Sequence, residues 1–178
     1  KVIILVHSYG SNRLQFGIKT IDIIKEFLNK GYNVFTFDLR NSGESDGKDT
    51  TFGYYEKEDV KAAINYVARQ GLKNITLMGF STGASASILA AADSEVVDAV
   101  IADSPYADLK TYFSKNLDNW SGLPRFPFNK AILLAMEATG SINMSETSPL
   151  KALDSKKPPF MLLIHGEGDS VIPVENSI

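Results

Sequence analysis

Five short runs along the chain are dense in Val, Ile, Leu and Phe: 1–6 (KVIILV), 33–38 (NVFTFD), 74–79 (NITLMG), 96–102 (VVDAVIA) and 160–165 (FMLLIH). They do not alternate with polar residues, which is the pattern of strands covered on both faces, as in a parallel sheet. Between them the apolar spacing changes to three or four. In 18–29 the positions Ile21, Ile24 and Phe27/Leu28 recur at helical spacing. In 55–69 Val60, Ala63, Ile64 and Val67 do the same, with Glu56, Glu58 and Asp59 at the start and Gly71 just past the end. A third helix, rich in alanine and serine, follows residue 81. Alternation of this kind predicts an α/β fold, a doubly wound and mostly parallel sheet with flanking helices.

One stretch breaks the rhythm. Residues 104–148 separate the fourth and fifth strands and carry Tyr106, Tyr112, Phe113, Trp120, Phe126 and Phe128 with Pro105, Pro124 and Pro127. Such a segment is either a long helical connection whose aromatics fill the core or a small helical lid. Connections after strand C-termini carry ligand contacts in open α/β sheets, which favours the lid, with Tyr106 and Trp120 as substrate-binding residues.

Composition narrows the chemistry. The 178 residues suit one domain, 1–178, and the net charge of −3 speaks against a nucleic-acid partner. The chain has no cysteine, so disulfides and thiol catalysis are excluded, and its two histidines are too few for a multi-histidine metal site. No cofactor or metal is expected. No apolar run approaches the roughly 18 residues of a membrane span. The opening inside a strand and the close on VIPVENSI suggest a segment cut at both ends. The expectation is a soluble domain, cytoplasmic or tethered by an anchor that precedes residue 1.

The candidate chemistry starts at Gly79-Phe80-Ser81-Thr82-Gly83, a G-x-S-x-G sequence with a strand before it and a helix after it. A serine on so tight a turn has a strained backbone. Side chains two residues to either side would strike neighbouring backbone, and glycine at 79 and 83 removes them. Ala84 and Ala86 let the helix pack close to the sheet. The turn holds the Ser81 hydroxyl out, and the helix N-terminus behind it favours developing negative charge. Acyl transfer needs two donors on an oxyanion. The amide of Thr82 is one, and the loop after the first strand, VHSYGSN, supplies the other from Tyr9. IHGEGDSVIP, 164–173, places Asp169 in a glycine-bearing turn at a strand end, where a carboxylate can orient a histidine. Asp103 in IADSPY also follows a strand. Asp169 is favoured because Asp-Ser-Pro is a common turn starter.

Together these pieces resemble the α/β-hydrolase superfamily of serine hydrolases across nearly all of the chain. FDLRNSGESDG (37–47) is similar to the family's loop after its fourth strand, and HGEGDSVIP to its acid loop. FGYYEKEDV, IADSPYADL and SPLKAL resemble bacterial small-lid members related to esterases and serine aminopeptidases. The resemblance implies Ser81 as nucleophile, Asp169 as acid, and Tyr9 and Thr82 as oxyanion donors. It also implies that the first two strands and the last strand and helix of the family fold lie outside residues 1–178. Two departures stand out: Ser8 replaces the usual glycine after the first-loop histidine, and the family's catalytic histidine falls beyond residue 178. His7 and His165 occupy other positions and read as structural.

Two functions follow. One is a serine hydrolase cleaving an ester, thioester or amide of a small molecule or peptide through an acyl-serine. The other is a binding module that keeps the fold without the general base. No G-x-G-x-x-G follows the first strand, DGKDT has Ser42 where a P-loop needs glycine, and a dehalogenase would need aspartate at 81.

Overall fold

Every apolar run of the sequence becomes a strand in the computed structural model, which describes residues 1–14, 18–138, 142–154 and 158–178, without the side chains of Trp120 and Glu137. The strands are β1 (Val2–Val6), β2 (Asn33–Thr36), β3 (Ile75–Phe80), β4 (Val97–Asp103) and β5 (Phe160–Ile164). They pair in parallel in the order β2-β1-β3-β4-β5. The helices are α1 (Thr20–Asn29), α2 (Glu56–Arg69), α3 (Thr82–Ala92), α4 (Leu109–Ser121), α5 (Arg125–Ala138) and α6 (Pro149–Asp154). β2 ends at Thr36, short of the expected 38. Asp38 is drawn into the following loop, where its buried carboxylate accepts the amides of Arg13 at 2.6 Å and Glu44 at 3.0 Å.

The core explains the unalternating strands. Val2, Ile4 and Val6 of β1, with Ile75 and Leu77 of β3 and Val100 and Ala102 of β4, pack on Val60, Ile64 and Val67 of α2 and Ala84 and Ile88 of α3. Ile3 and Leu5, on the other face, are buried as well. All of α3 is buried, and its small side chains are what allow a helix to lie that close to the sheet. A second cluster joins Tyr106, Leu109, Tyr112, Phe113 and Leu117 to Ile142, Met144 and Ile172. Residues 104–148 thus fold as α4, α5 and a short 3-10 turn at Met144–Glu146 around their own apolar centre. The base of this unit is closed by Leu109 N–H to the Thr147 carbonyl at 3.1 Å and Leu150 N–H to the Ala107 carbonyl at 3.0 Å.

The chain order places the functional loops. From β1 the chain steps outward to β2, then crosses back to β3 and continues to β4 and β5. The reversal lies between β1 and β3, and open α/β sheets bind ligands in the crevice at the C-terminal ends of such a pair. The β5 edge leaves Phe160, Leu162, Leu163 and Ile164 exposed. Among the described residues no helix is long and apolar enough to cross a membrane.

Candidate active site

Ser81 stands where β3 turns into α3, with φ 53 and ψ −121. That left-handed conformation costs a serine about 1–3 kcal/mol and persists only where the surroundings impose it. Here its amide donates to the Asp103 carbonyl at 2.7 Å, and its carbonyl accepts from Ala84 at 2.9 Å. A Cβ on Gly79 would lie 2.5 Å from both the Ala84 Cα and the Gly83 carbonyl oxygen. One on Gly83 would run into the carbonyl oxygens of His7 and Val6. Both glycines are therefore demanded by close backbone approach. The Ser81 side chain is half-buried, and its hydroxyl has no hydrogen-bond partner among the described residues.

The loop after β1 comes to the same point because Val6 pairs with Gly79. Tyr9 N–H donates to Thr82 Oγ1 at 2.9 Å, which sets the Tyr9 amide beside the first turn of α3. The bond must be shared or released when an oxyanion takes that amide. Ser8, in place of glycine, does not turn the loop away. Its hydroxyl meets that of Ser11 at 3.1 Å, and its carbonyl accepts the Ser11 amide at 3.2 Å.

His7 braces this loop. Its Nε2 accepts the Leu39 amide at 2.9 Å, so Nδ1 carries the proton and donates to the Ser8 carbonyl at 2.8 Å. Both nitrogens are occupied and the ring is buried, so it has no position from which to serve Ser81. Burial pushes the His7 pKa down, more than the Ser8 carbonyl and the Asp38 carboxylate push it up. The native state therefore holds His7 neutral where an unfolded histidine, near pH 6.5, takes up a proton. Below that pH the unfolded chain binds more protons than the folded one, and stability falls as pH falls, by at most about 1.4 kcal/mol per unit for one group. We expect urea midpoints measured between pH 7.5 and 5.5 to decline less steeply in His7→Gln, whose amide can make both bonds. Equal slopes would place the acid sensitivity elsewhere.

Asp169 lies after β5, whose Ile164 pairs with Asp103. Its Oδ1 accepts the amides of Val171 at 2.9 Å and Ile172 at 3.0 Å, which locks the carboxylate in its turn. Oδ2 lies 3.7 Å from His165 Nε2, and the side chain retains 22% exposure. His165 is not a base for Ser81: Nε2 donates to the Ile172 carbonyl at 2.7 Å, and Nδ1 meets the Ser177 hydroxyl at 2.7 Å. It pins the acid loop to the end of β5. Asp103 accepts from the adjacent Ser104 hydroxyl at 3.2 Å, and its carbonyl holds the Ser81 amide. Among the described residues no three His, Asp or Glu come together as metal ligands.

The residues expected on a lid fare differently. Tyr106 is fully buried, not on a substrate-facing surface. Its amide donates to the Ser85 hydroxyl at 3.0 Å and its own hydroxyl to the Phe52 carbonyl at 2.5 Å, so it ties the start of the insert to α3 and to the loop before α2. Trp120 lies in α4, and its side chain falls outside the described residues. A cavity of about 980 Å³ opens beside Tyr9; Phe52, Tyr55 and, from the insert, Met136 and Ile142 give it an apolar part, and the Arg40–Asp59 pair with Asp46, Lys48 and Asp49 a charged one. Neither Phe52 nor Glu56 is marked as a site residue by the sequence, although both lie in the FGYYEKEDV stretch. Glu56 reads as an acidic residue at a helix start, but it is buried and bonded to the loop ahead of it.

Comparison with known proteins agrees with this fold. A family model for the alpha/beta hydrolase fold matches residues 1–131. The uncharacterized Bacillus subtilis (strain 168) protein YqkD is 32% identical over 181 residues, covering 98% of this chain and 57% of YqkD. The Pyrococcus furiosus esterase Pf2001 has a TM-score of 0.74 at 29% identity, covering 99% of this chain and 65% of the esterase. The Pyrococcus horikoshii acylaminoacyl peptidase shares the fold, with a TM-score of 0.68 at 19% identity over 99% of this chain and 29% of the peptidase. The chain spans about half the length of the curated relatives it matches. With the parallel sheet, the strained serine turn and a family match over residues 1–131, the chain belongs to the alpha/beta hydrolase fold family.

Proposed function

We propose that this chain carries the nucleophile, the acid and the oxyanion donors of a serine hydrolase that cleaves an ester, thioester or amide through an acyl-serine. The observation that carries the reading is Ser81 at φ 53, its hydroxyl without a hydrogen-bond partner among the described residues, next to Thr82, whose Oγ1 accepts the Tyr9 amide. Ser81 Oγ attacks the acyl carbon, and the two amides take up the charge that develops on the carbonyl oxygen. A histidine accepts the serine proton and passes it to the leaving group, and water then repeats the sequence to release the acid. Asp169 holds that histidine through its unlocked oxygen, Oδ2.

The histidine is neither His7 nor His165, because both have each nitrogen occupied. We place it on polypeptide that adds to the β5 edge. The exposed apolar residues of that strand, and relatives nearly twice as long, support this. The 104–148 insert acts as a lid, since its Met136 and Ile142 reach the cavity beside Tyr9. The same occupied histidines favour a second reading for residues 1–178 alone, a binding module without turnover.

A fluorophosphonate probe tests the proposal in the full-length protein. Labelling confined to Ser81, and absent from Ser81→Ala, supports it. Labelling that persists in Ser81→Ala overturns it.

A further inference from the structure

Phe52 is held in a conformation that its own side chain disfavours, by residues outside the catalytic set. Its φ is 53, in the left-handed region where a bulky residue is an outlier. Two buried groups impose it. The Glu56 carboxylate accepts the Thr51 amide, the Thr51 hydroxyl and the Gly53 amide, each at 2.7 Å. From the other side the Tyr106 hydroxyl donates to the Phe52 carbonyl at 2.5 Å. Burial pushes the Tyr106 phenol's pKa up, so it stays a donor at any working pH. Gly53, at φ +113, leaves room for that contact, since a Cβ there would lie 2.7 Å from the phenol oxygen.

The strain has a geometric product. The Phe52 ring stacks on the Tyr9 ring, with centroids 5.4 Å apart and planes inclined by 22°, and meets Phe113 edge-on at 5.0 Å. Phe52 and Tyr9 line the large cavity and also the narrow one that reaches Thr82. Tyr9 therefore presents its amide to the serine turn and its ring to the cavity, and the position of the ring is set by Phe52. A residue that served only as core filling would not need a left-handed backbone clamped from both sides.

We propose that Phe52 is a specificity-determining residue of the Ser81 site, with Glu56 and Tyr106 as its positioning residues. The Tyr9–Phe52 pair, extended by Met136 and Ile142, is the apolar wall for the acyl chain of the substrate. The selected substrates are esters of apolar acyl chains longer than acetyl. This inference rests on the hydrolase reading of Ser81.

The test uses the full-length protein with p-nitrophenyl acetate and p-nitrophenyl octanoate. Phe52→Ala is expected to lower the octanoate-to-acetate ratio of kcat/KM about tenfold or more, mainly through a higher KM for octanoate. Tyr106→Phe keeps the ring and removes the hydroxyl that bonds to Phe52, and should move the ratio the same way by about threefold. In a Phe52→Ala background it should move the ratio no further, because both changes act through one ring. Where Phe52→Ala does not fold, Phe52→Leu keeps an apolar side chain without the flat face and is read in the same way. An unchanged ratio in folded Phe52 variants overturns the wall, whatever happens to the thermal transition. Ser81→Ala separates the two levels. Hydrolysis that survives it overturns the reading of the site and the wall with it. Hydrolysis that it abolishes, alongside an unchanged ratio in the Phe52 variants, overturns the wall alone.

Discussion

Ser81→Ala in the full-length protein is expected to lower kcat on p-nitrophenyl acetate by about a million-fold, leaving only what binding and the oxyanion donors supply. The fold should survive, because alanine keeps the Cβ and the backbone bonds that set the turn. The Ser81 amide on the Asp103 carbonyl and the Ala84 amide on the Ser81 carbonyl do not involve the hydroxyl. The strain at φ 53 therefore persists in the variant, and the thermal transition should move little. Ser81→Gly makes a sharper companion. Glycine adopts this φ without penalty, so the variant should be inactive yet more stable, by about 1 kcal/mol or more. A variant that gains stability as it loses activity would tie the strain to the function proposed for Ser81. A loss in Ser81→Ala of less than about a hundredfold would mean that another group, or an activated water, does the chemistry.

Much of the scaffold was legible because its signals are local. Strands buried on both faces read as unbroken apolar runs, and α3 announced its closeness to the sheet through alanine and serine. The serine turn was legible for the same reason. Its glycine pattern lies within five residues, although only Gly79 is demanded by the neighbouring Gly83 and Ala84 backbone; Gly83 is demanded by the Val6 and His7 carbonyls at the end of β1. What escaped depends on partners far along the chain. Tyr106 sits at a strand end near the serine, where an aromatic residue reads as a substrate contact. Its burial is decided by the Phe52 carbonyl, 54 residues earlier. Glu56 escaped for another reason: its partners Thr51 and Gly53 are close in the chain, but an acid at a helix start has the same sequence signature whether it faces solvent or is enclosed by the loop ahead of it. β2 ran shorter than its apolar residues suggest because Asp38 finds its donors on Arg13 and Glu44. His165 could be read only as an apolar strand's last residue, since its partners Ile172 and Ser177 arrive from the following turn.

Asp169→Asn is expected to lower kcat about ten-thousandfold, with the protein still folded. Two features of the turn make this a clean substitution. Asp169 Oδ1 accepts both the Val171 and the Ile172 amide, and an asparagine carbonyl oxygen can take the same two bonds. The change then falls on the outer atom, which becomes an NH2 group where Oδ2 stood. A donor there cannot receive the N–H of the incoming histidine, so the ring turns to the wrong tautomer and leaves the imidazolium without a counter-charge. The neighbouring His165 keeps its bonds to the Ile172 carbonyl and the Ser177 hydroxyl, and loses only the charge of the carboxylate oxygen 3.7 Å from its Nε2. Asp103→Asn is the discriminating control. Its side chain bonds to the adjacent Ser104 hydroxyl, while the bond that matters for the serine turn comes from its main-chain carbonyl, which the substitution keeps. That variant should stay within about tenfold of the wild-type kcat. If the large loss appears instead in Asp103→Asn, the acid is on β4, next to the strand that leads into Ser81. The histidine would then have to reach the serine from that side, not from the β5 edge.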